Sequence, residues 1–166
     1  AGDIGVTRWR RDILQKYGWY FFVSSGKDVF PLAPIHGDAA GYQVDFSADG
    51  VKFIHHENGL ETTMLVSVSP EETMEIRKIE LVNHNSEAMR VVLTSYNEIT
   101  LAPLKDDMAH PAFSDLFVLT EFEAENNLLI AERKSRGEEE ERRYAYSKLV
   151  ADTTVRVSAE TDRMQF

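Results

Sequence analysis

Asp106, Asp107, His110, Ser114 and Asp115 crowd into ten consecutive positions of the stretch DDMAHPAFSDLFV, residues 106–118. Carboxylate oxygens and an imidazole nitrogen at i, i+1 and i+4 can converge on one ion, so Asp106, Asp107 and His110 are formally a metal-ligand set. The set holds a single histidine, and nothing near it suggests the outer hydrogen bonds that fix a metal-bound imidazole. The structural alternative has its own physical basis. Pro111 biases His110 toward extended backbone, Asp107 and Ser114 are natural caps for short turns, and Phe113, Leu116 and Phe117 would anchor the segment in a core. The stretch is therefore expected to be an ordered loop that holds no metal. Asp107, His110 and Ser114 are its hydrogen-bonding members, and Phe113 and Phe117 its buried ones.

The remaining candidates divide by type. His55 and His56 are neighbours on a strand, so they point to opposite faces and cannot chelate together. His84 falls in the turn NHNSE and should face solvent, and His36 lies in a Pro/Gly-rich loop. A mutarotase-like reaction would need a histidine acid and a glutamate base across a sugar ring, a pairing that sequence alone does not display. No paired carboxylates stand in a glycosidase context, and GxSxG, HExxH and P-loop motifs are absent. Aromatic rings are the usual platform for the apolar face of a pyranose. Core packing is the stronger reading for Trp19, Tyr20 and Phe30, which sit in or near a strand. Trp9, flanked by Arg8, Arg10 and Arg11, is more evenly balanced between a sugar platform and packing, as a ring that covers an interface or lies by a site that takes an anion. Trp9, Trp19 and Arg8 are thus the carbohydrate-contact candidates.

The elements that must position these residues are almost all strands. In RWRRDILQKY (residues 8–17), Trp9, Ile13 and Tyr17 are four apart, as on one face of a short helix, but the basic opening is poor for the helix dipole and an irregular segment is the alternative. From WYFFV onward, alternating or β-branched runs are separated by turn chemistry: SSGKD, ADG, ENG, SPEE and NHNSEA. In LETTMLVSVS, Leu60, Thr62, Met64, Val66 and Val68 share one face. TMEIRKIELVN changes phase between Ile76 and Ile79, which predicts a bulge or a strand buried on both faces. MRVVLTSYNEITL, DLFVLTEFEA, NNLLIAERK, RRYAYSKLV and TTVRVSA complete the strand readings. GEEEERR (residues 137–143) reads as a solvated hairpin loop. The pattern predicts an all-β protein, an antiparallel β-sandwich with one short N-terminal helix at most, over a single domain spanning residues 1–166.

Composition narrows the function classes. The chain has 166 residues and a formal net charge of −10, with a pI near 4.9. No basic stripe exists to neutralise phosphates, so nucleic acid is not an expected partner. There are no cysteines, which removes disulfides and thiolate chemistry and fits a reducing, cytoplasmic location. No run of about 18 apolar residues occurs, so direct membrane contact is not expected. The chain does not start with Met and stops at TDRMQF, and it reads as a piece of something longer.

Laid out in order, the strands resemble a known family. GLETTMLVSVSPEETMEIRKIELVNHNSEAMRVVLTSYNEITLAP, followed by AHPAFSDLFVLTEF, is similar to the N-terminal β-sandwich region of the glycoside hydrolase family 94 phosphorylases, formerly glycosyltransferase family 36. Within that family it most resembles the phosphorylase-like region of cyclic β-1,2-glucan synthases. The matching pieces are Gly59-Leu60-Glu61-Thr62, Val68-Ser69-Pro70-Glu71, Val82-Asn83, Leu93-Thr94-Ser95-Tyr96 and Ala109 to Val118. VTRWRRD (residues 6–12) resembles the family's opening segment and ETDRMQF (residues 160–166) its "ETDR-F" exit. GWYFFVSS departs from a strand that usually ends in Arg-Asp, and Phe30-Pro31 stands where Trp-Ser is usual.

The resemblance implies a galactose-mutarotase-like super-sandwich without catalytic residues or cofactor of its own. It implies an (α/α)6 barrel, elsewhere in the parent chain, that carries the chemistry of phosphorolysis. The sandwich would pack against that barrel, contribute to a homodimer and lend loops to the rim of a β-glucan site, where Asp107, His110 and Ser114 are the candidates. The parent would be a cytoplasmic enzyme, with inner-membrane anchoring left open. The rival reading is an autonomous module that holds β-glucan on an aromatic face.

Overall fold

A computed structural model describes residues 3–8, 17–35, 39–135, 137 and 140–162. Those residues form antiparallel strands and two short helices. In chain order the first strands are β1 (Ile4–Thr7), β2 (Trp19–Ser25), β3 (Asp28–Pro31), β4 (Tyr42–Ser47), β5 (Gly50–Glu57) and β6 (Leu60–Val68). Next come β7 (Glu75–Asn83), β8 (Val92–Asn97), β9 (Ile99–Pro103), α1 (Leu104–Ala109) and α2 (Pro111–Asp115). The last three are β10 (Val118–Glu123), β11 (Leu128–Arg133) and β12 (Arg143–Lys148). The chain divides into two compact units, Ala1–Trp9 with Glu98–Phe166, and Arg10–Asn97. No helix among the described residues is long and apolar enough to cross a membrane.

The unit Arg10–Asn97 holds two sheets, β3-β2-β8 and the meander β4-β5-β6-β7. Its core forms where alternation brings their apolar faces together. Val23, Phe30 and Leu32 from the first sheet and its exit meet Leu60 and Met64 of β6, lined by Phe21, Phe53, Val66 and Ile79. Sequence sets the joints as well as the faces. Glu57 pairs with Leu60, so Asn58-Gly59 is a two-residue hairpin turn. Both residues have positive φ, 50° and 76°, as the type I′ turn that suits strand twist requires.

The other unit joins a two-stranded β1-β9 sheet to the three-stranded β10-β11-β12 sheet, with α1 and α2 between β9 and β10 in the chain. β1 shifts register between Gly5 and Thr7, and a bulge of this kind re-aims the residues beyond it. Leu101 is buried at φ +49°, an unusual state for a bulky residue. The carbonyls around it are held by arginines: Arg133 Nη1 donates to Thr100 O at 3.1 Å and Arg143 Nη1 to Leu101 O at 3.2 Å.

Several expectations need correction. The segment after Pro103 is not a loop but two helical turns, and Pro111 opens the second at the position where its missing N–H costs nothing. Phe113 and Leu116 are exposed rather than buried. β7 has no bulge, for its register with β6 runs unbroken from Leu60–Asn83 to Val68–Glu75. Ile76 and Val82 stand opposite Ser67 and Glu61 on the outward face of the sheet, so they remain exposed and cause the phase change read from sequence. MRVVLTSYNEITL breaks into β8 and β9, and TTVRVSA forms no strand. Glu140, in the charge run, is mostly covered and pairs with Arg143 at 3.3 Å. The helix predicted over residues 8–17 and the His36 loop position fall on residues 9–16 and 36–38, outside the described residues.

Candidate functional site

The polar residues of DDMAHPAFSDLFV do come together with a distant cation, and that cation is Arg8. The backbone continues the β1–β9 pairing by one bond past the bulge, Arg8 N donating to Glu98 O at 2.9 Å. This places the guanidinium beside α1 and α2. Arg8 Nε donates to Asp107 Oδ2 at 3.1 Å and Nη2 to Asp107 Oδ1 at 2.8 Å, a two-pronged contact. Nη2 also donates to Asp115 Oδ1 at 2.6 Å and Pro111 O at 3.3 Å, and Nη1 to Glu98. Arg8 is 5% exposed and Asp107 2%. Burial pulls the guanidinium pKa down, but Asp107 and Asp115 outweigh it and hold Arg8 above its ordinary value.

A second arginine fastens the other side. Arg133 Nη1 donates to Ser114 O at 2.9 Å and to Ser114 Oγ at 3.2 Å, with its guanidinium 5.7 Å from the Phe117 ring centre. Asp107 and Ser114 are therefore neither caps nor free nucleophiles. Their side chains tie the helical turns to Arg8, just past β1, and to Arg133 of β11. His110 is the exception: it is exposed and contributes backbone hydrogen bonds, His110 N to Asp106 O and Ser114 N to His110 O. With Asp106, Ala109, Phe113 and Ser114 it lines a depression of about 140 Å³, below the roughly 300–1,000 Å³ usual for ligand pockets.

The carbohydrate-contact candidates are placed as follows. Arg8 has its donors taken up inside the protein. Trp19 stacks on Phe21 with centroids 5.8 Å apart, and the Arg77 guanidinium sits 4.8 Å over both rings. Trp19 is half-buried, and its ring packs on these two side chains of its own unit. Trp9 lies outside the described residues.

His55 and His56 do point apart. His56 is exposed, while His55 is buried against Tyr42 at 4.3 Å and Phe30 at 5.2 Å between ring centres. Burial lowers the His55 pKa, outweighing the opposing effect of Glu57. His84 is exposed, as its turn suggests, with Nε2 3.1 Å from Glu61 Oε2. Among the described residues no group of three His, Asp or Glu is placed to hold a metal ion. Sequence reasoning missed Arg133 and the pairing of Arg8 with Asp107 and Asp115. The one sequence signal for Arg133 is a charged residue at an inward position of the alternating strand LLIAER.

Comparison with known proteins agrees with this architecture. The model of the glycosyl hydrolase 94 supersandwich domain matches residues 1–166, and the chain belongs to that family. It is 29% identical over 169 residues to a cyclic beta-(1,2)-glucan synthase, NdvB, of Rhizobium meliloti (strain 1021). The match takes in 97% of this chain and 6% of that relative, so the chain spans a small fraction of its length.

Proposed function

We propose that this supersandwich chain is the non-catalytic part of a β-glucan phosphorylase or cyclic β-1,2-glucan synthase. Its work is to support a catalytic barrel elsewhere in the parent, to contribute to a homodimer and to shape the rim of the glucan site. The parent would act in the cytoplasm. The observation that carries this reading is the use made of the Asp106–Val118 segment. Its chemically capable side chains, Asp107, Ser114 and Asp115, are spent on Arg8 and Arg133, which fixes two helical turns rather than opening a cleft. His110 and Phe113 are left at the surface beside a shallow depression, the sort of feature a rim contributes.

Two assays test the reading. The 166-residue chain, incubated with β-glucan oligosaccharides and inorganic phosphate, should release no glucose 1-phosphate; release would overturn it. The same chain, added to the remainder of its parent polypeptide, should bind it and raise its activity. Failure of both binding and activation would remove the supporting role.

A further inference from the structure

Alternation along β12 sends Arg143, Ala145 and Ser147 to one face of its sheet and Tyr144, Tyr146 and Lys148 to the other. The second face is open. Tyr144 is 48% exposed and Tyr146 65%, their ring centres 6.4 Å apart and their planes parallel to within 10°. Cross-strand register extends the pair into two rows: Tyr144 beside Glu132 and then Leu119, Tyr146 beside Ile130 and then Glu121. Arg142 Nη1 donates to Glu132 Oε1 at 3.1 Å, which holds that carboxylate beside the first ring. β12 is the outermost strand of its sheet, so a chain longer than the two rows meets no further strand there.

We propose that this face binds a short run of neutral polysaccharide, stacking sugar rings on Tyr144 and Tyr146 and accepting hydrogen bonds from hydroxyls at Glu132 and Glu121. The apolar C–H face of a pyranose packs on an aromatic ring, and two neighbouring exposed rings take consecutive units where one ring takes one. Each row also carries a carboxylate, which accepts the hydrogen bonds that sugar hydroxyls donate. The same composition disfavours the other occupants. Glutamate is depleted at the centre of protein interfaces, yet one lies in each row here. An anionic ligand would meet Glu121 and Glu132 on a chain of net charge −10. The place rests on ring geometry and register; only the identity of the sugar, a β-glucan, rests on the proposed function.

The test is a calorimetric titration of the 166-residue chain with linear β-1,2-glucooligosaccharides and, separately, β-1,4-linked ones. Tyr144→Ala, Tyr146→Ala and Tyr146→Phe are titrated alongside, with circular dichroism to establish that each is folded. Saturable binding to either linkage is expected, weakened about tenfold by each alanine, equivalent to about 1.4 kcal/mol, and nearly unchanged by the phenylalanine, which keeps the ring. No saturable heat at millimolar sugar overturns the platform, while the supporting role still stands or falls on its own assays. Binding that the alanine variants leave intact also overturns it, placing the sugar elsewhere on the chain. If the alanine variants instead lose only their association with the rest of the parent enzyme, the face is a domain contact and the proposal falls.

Discussion

Arg8 shows how one side chain can hold an arrangement that no local pattern announces. Its partner Asp107 lies 99 positions away, so the sequence displays the polar segment but not what the segment is polar for. Removing one member of a buried ion pair leaves the other desolvated, which typically costs about 3–5 kcal/mol. Arg8→Met should lower stability by about that much in urea unfolding. Arg8→Lys should recover only part of it, since an ammonium lacks the planar fork. The double variant Arg8→Met/Asp107→Leu should be more stable than Arg8→Met alone; equal stability would mean the pair is not what holds the turns. His55 makes a separate prediction. Its pKa is depressed in the fold, so between that value and about 6.5 the unfolded chain binds the extra proton. Stability should fall as pH drops through that window and level off below it. His55→Phe should flatten this dependence, measured as urea midpoints at pH 7 and pH 5.

Elements were legible where a turn or a long alternation spelled them out. ENG gave the β5–β6 hairpin because Asn and Gly alone tolerate its two positive φ values well, and LETTMLVSVS gave the buried face of β6. Segments whose structure depends on a partner were not. TTVRVSA alternates like a strand, but alternation names a face and does not supply the neighbouring backbone that a strand must bond. α1 and α2 are six and five residues long, too short for a helical period to declare itself. The turns carry a direct prediction. A Cβ on Gly59 would lie 2.4 Å from Asn85 Oδ1, whereas one on Gly26, also at positive φ, would meet nothing within 4 Å. Both alanine substitutions incur the left-handed penalty of about 1–2 kcal/mol. Only Gly59→Ala must also displace Asn85, whose Nδ2 donates to Asn58 O at 3.1 Å. Thermal unfolding should therefore rank Gly59→Ala below Gly26→Ala, and equal melting temperatures would refute the clash.

At the scale of the molecule, composition foretold an acidic chain, alternation and turn chemistry an antiparallel β protein, and the resemblance of the motifs between Gly59 and Phe122 its family. The division into two units was hidden because they meet in sequence at Trp9–Arg10 and at Asn97–Glu98, the second inside the strand-like run LTSYNEITL, with neither Gly nor Pro to mark it. Charge decides how this chain behaves in company. Phe46, Leu116 and Val150 are 83%, 74% and 80% exposed, and at pH 7 a net charge of −10 keeps such surfaces on different molecules apart. Near the pI of about 4.9 that repulsion vanishes. Light scattering at low salt should therefore rise near pH 5 and return to the starting value at pH 8, with an unchanged far-UV spectrum. The spectrum matters because protonation of His55 lowers stability over the same range; a change in it would assign the scattering to unfolding instead. A second lever separates the two causes at constant pH. Raising salt toward 1 M at pH 7 shortens the screening length to about 3 Å and leaves His55 neutral. Association under those conditions would come from exposed apolar surface released from charge repulsion. A chain that stays monomeric in both tests would show that its exposed apolar residues are too scattered to act together.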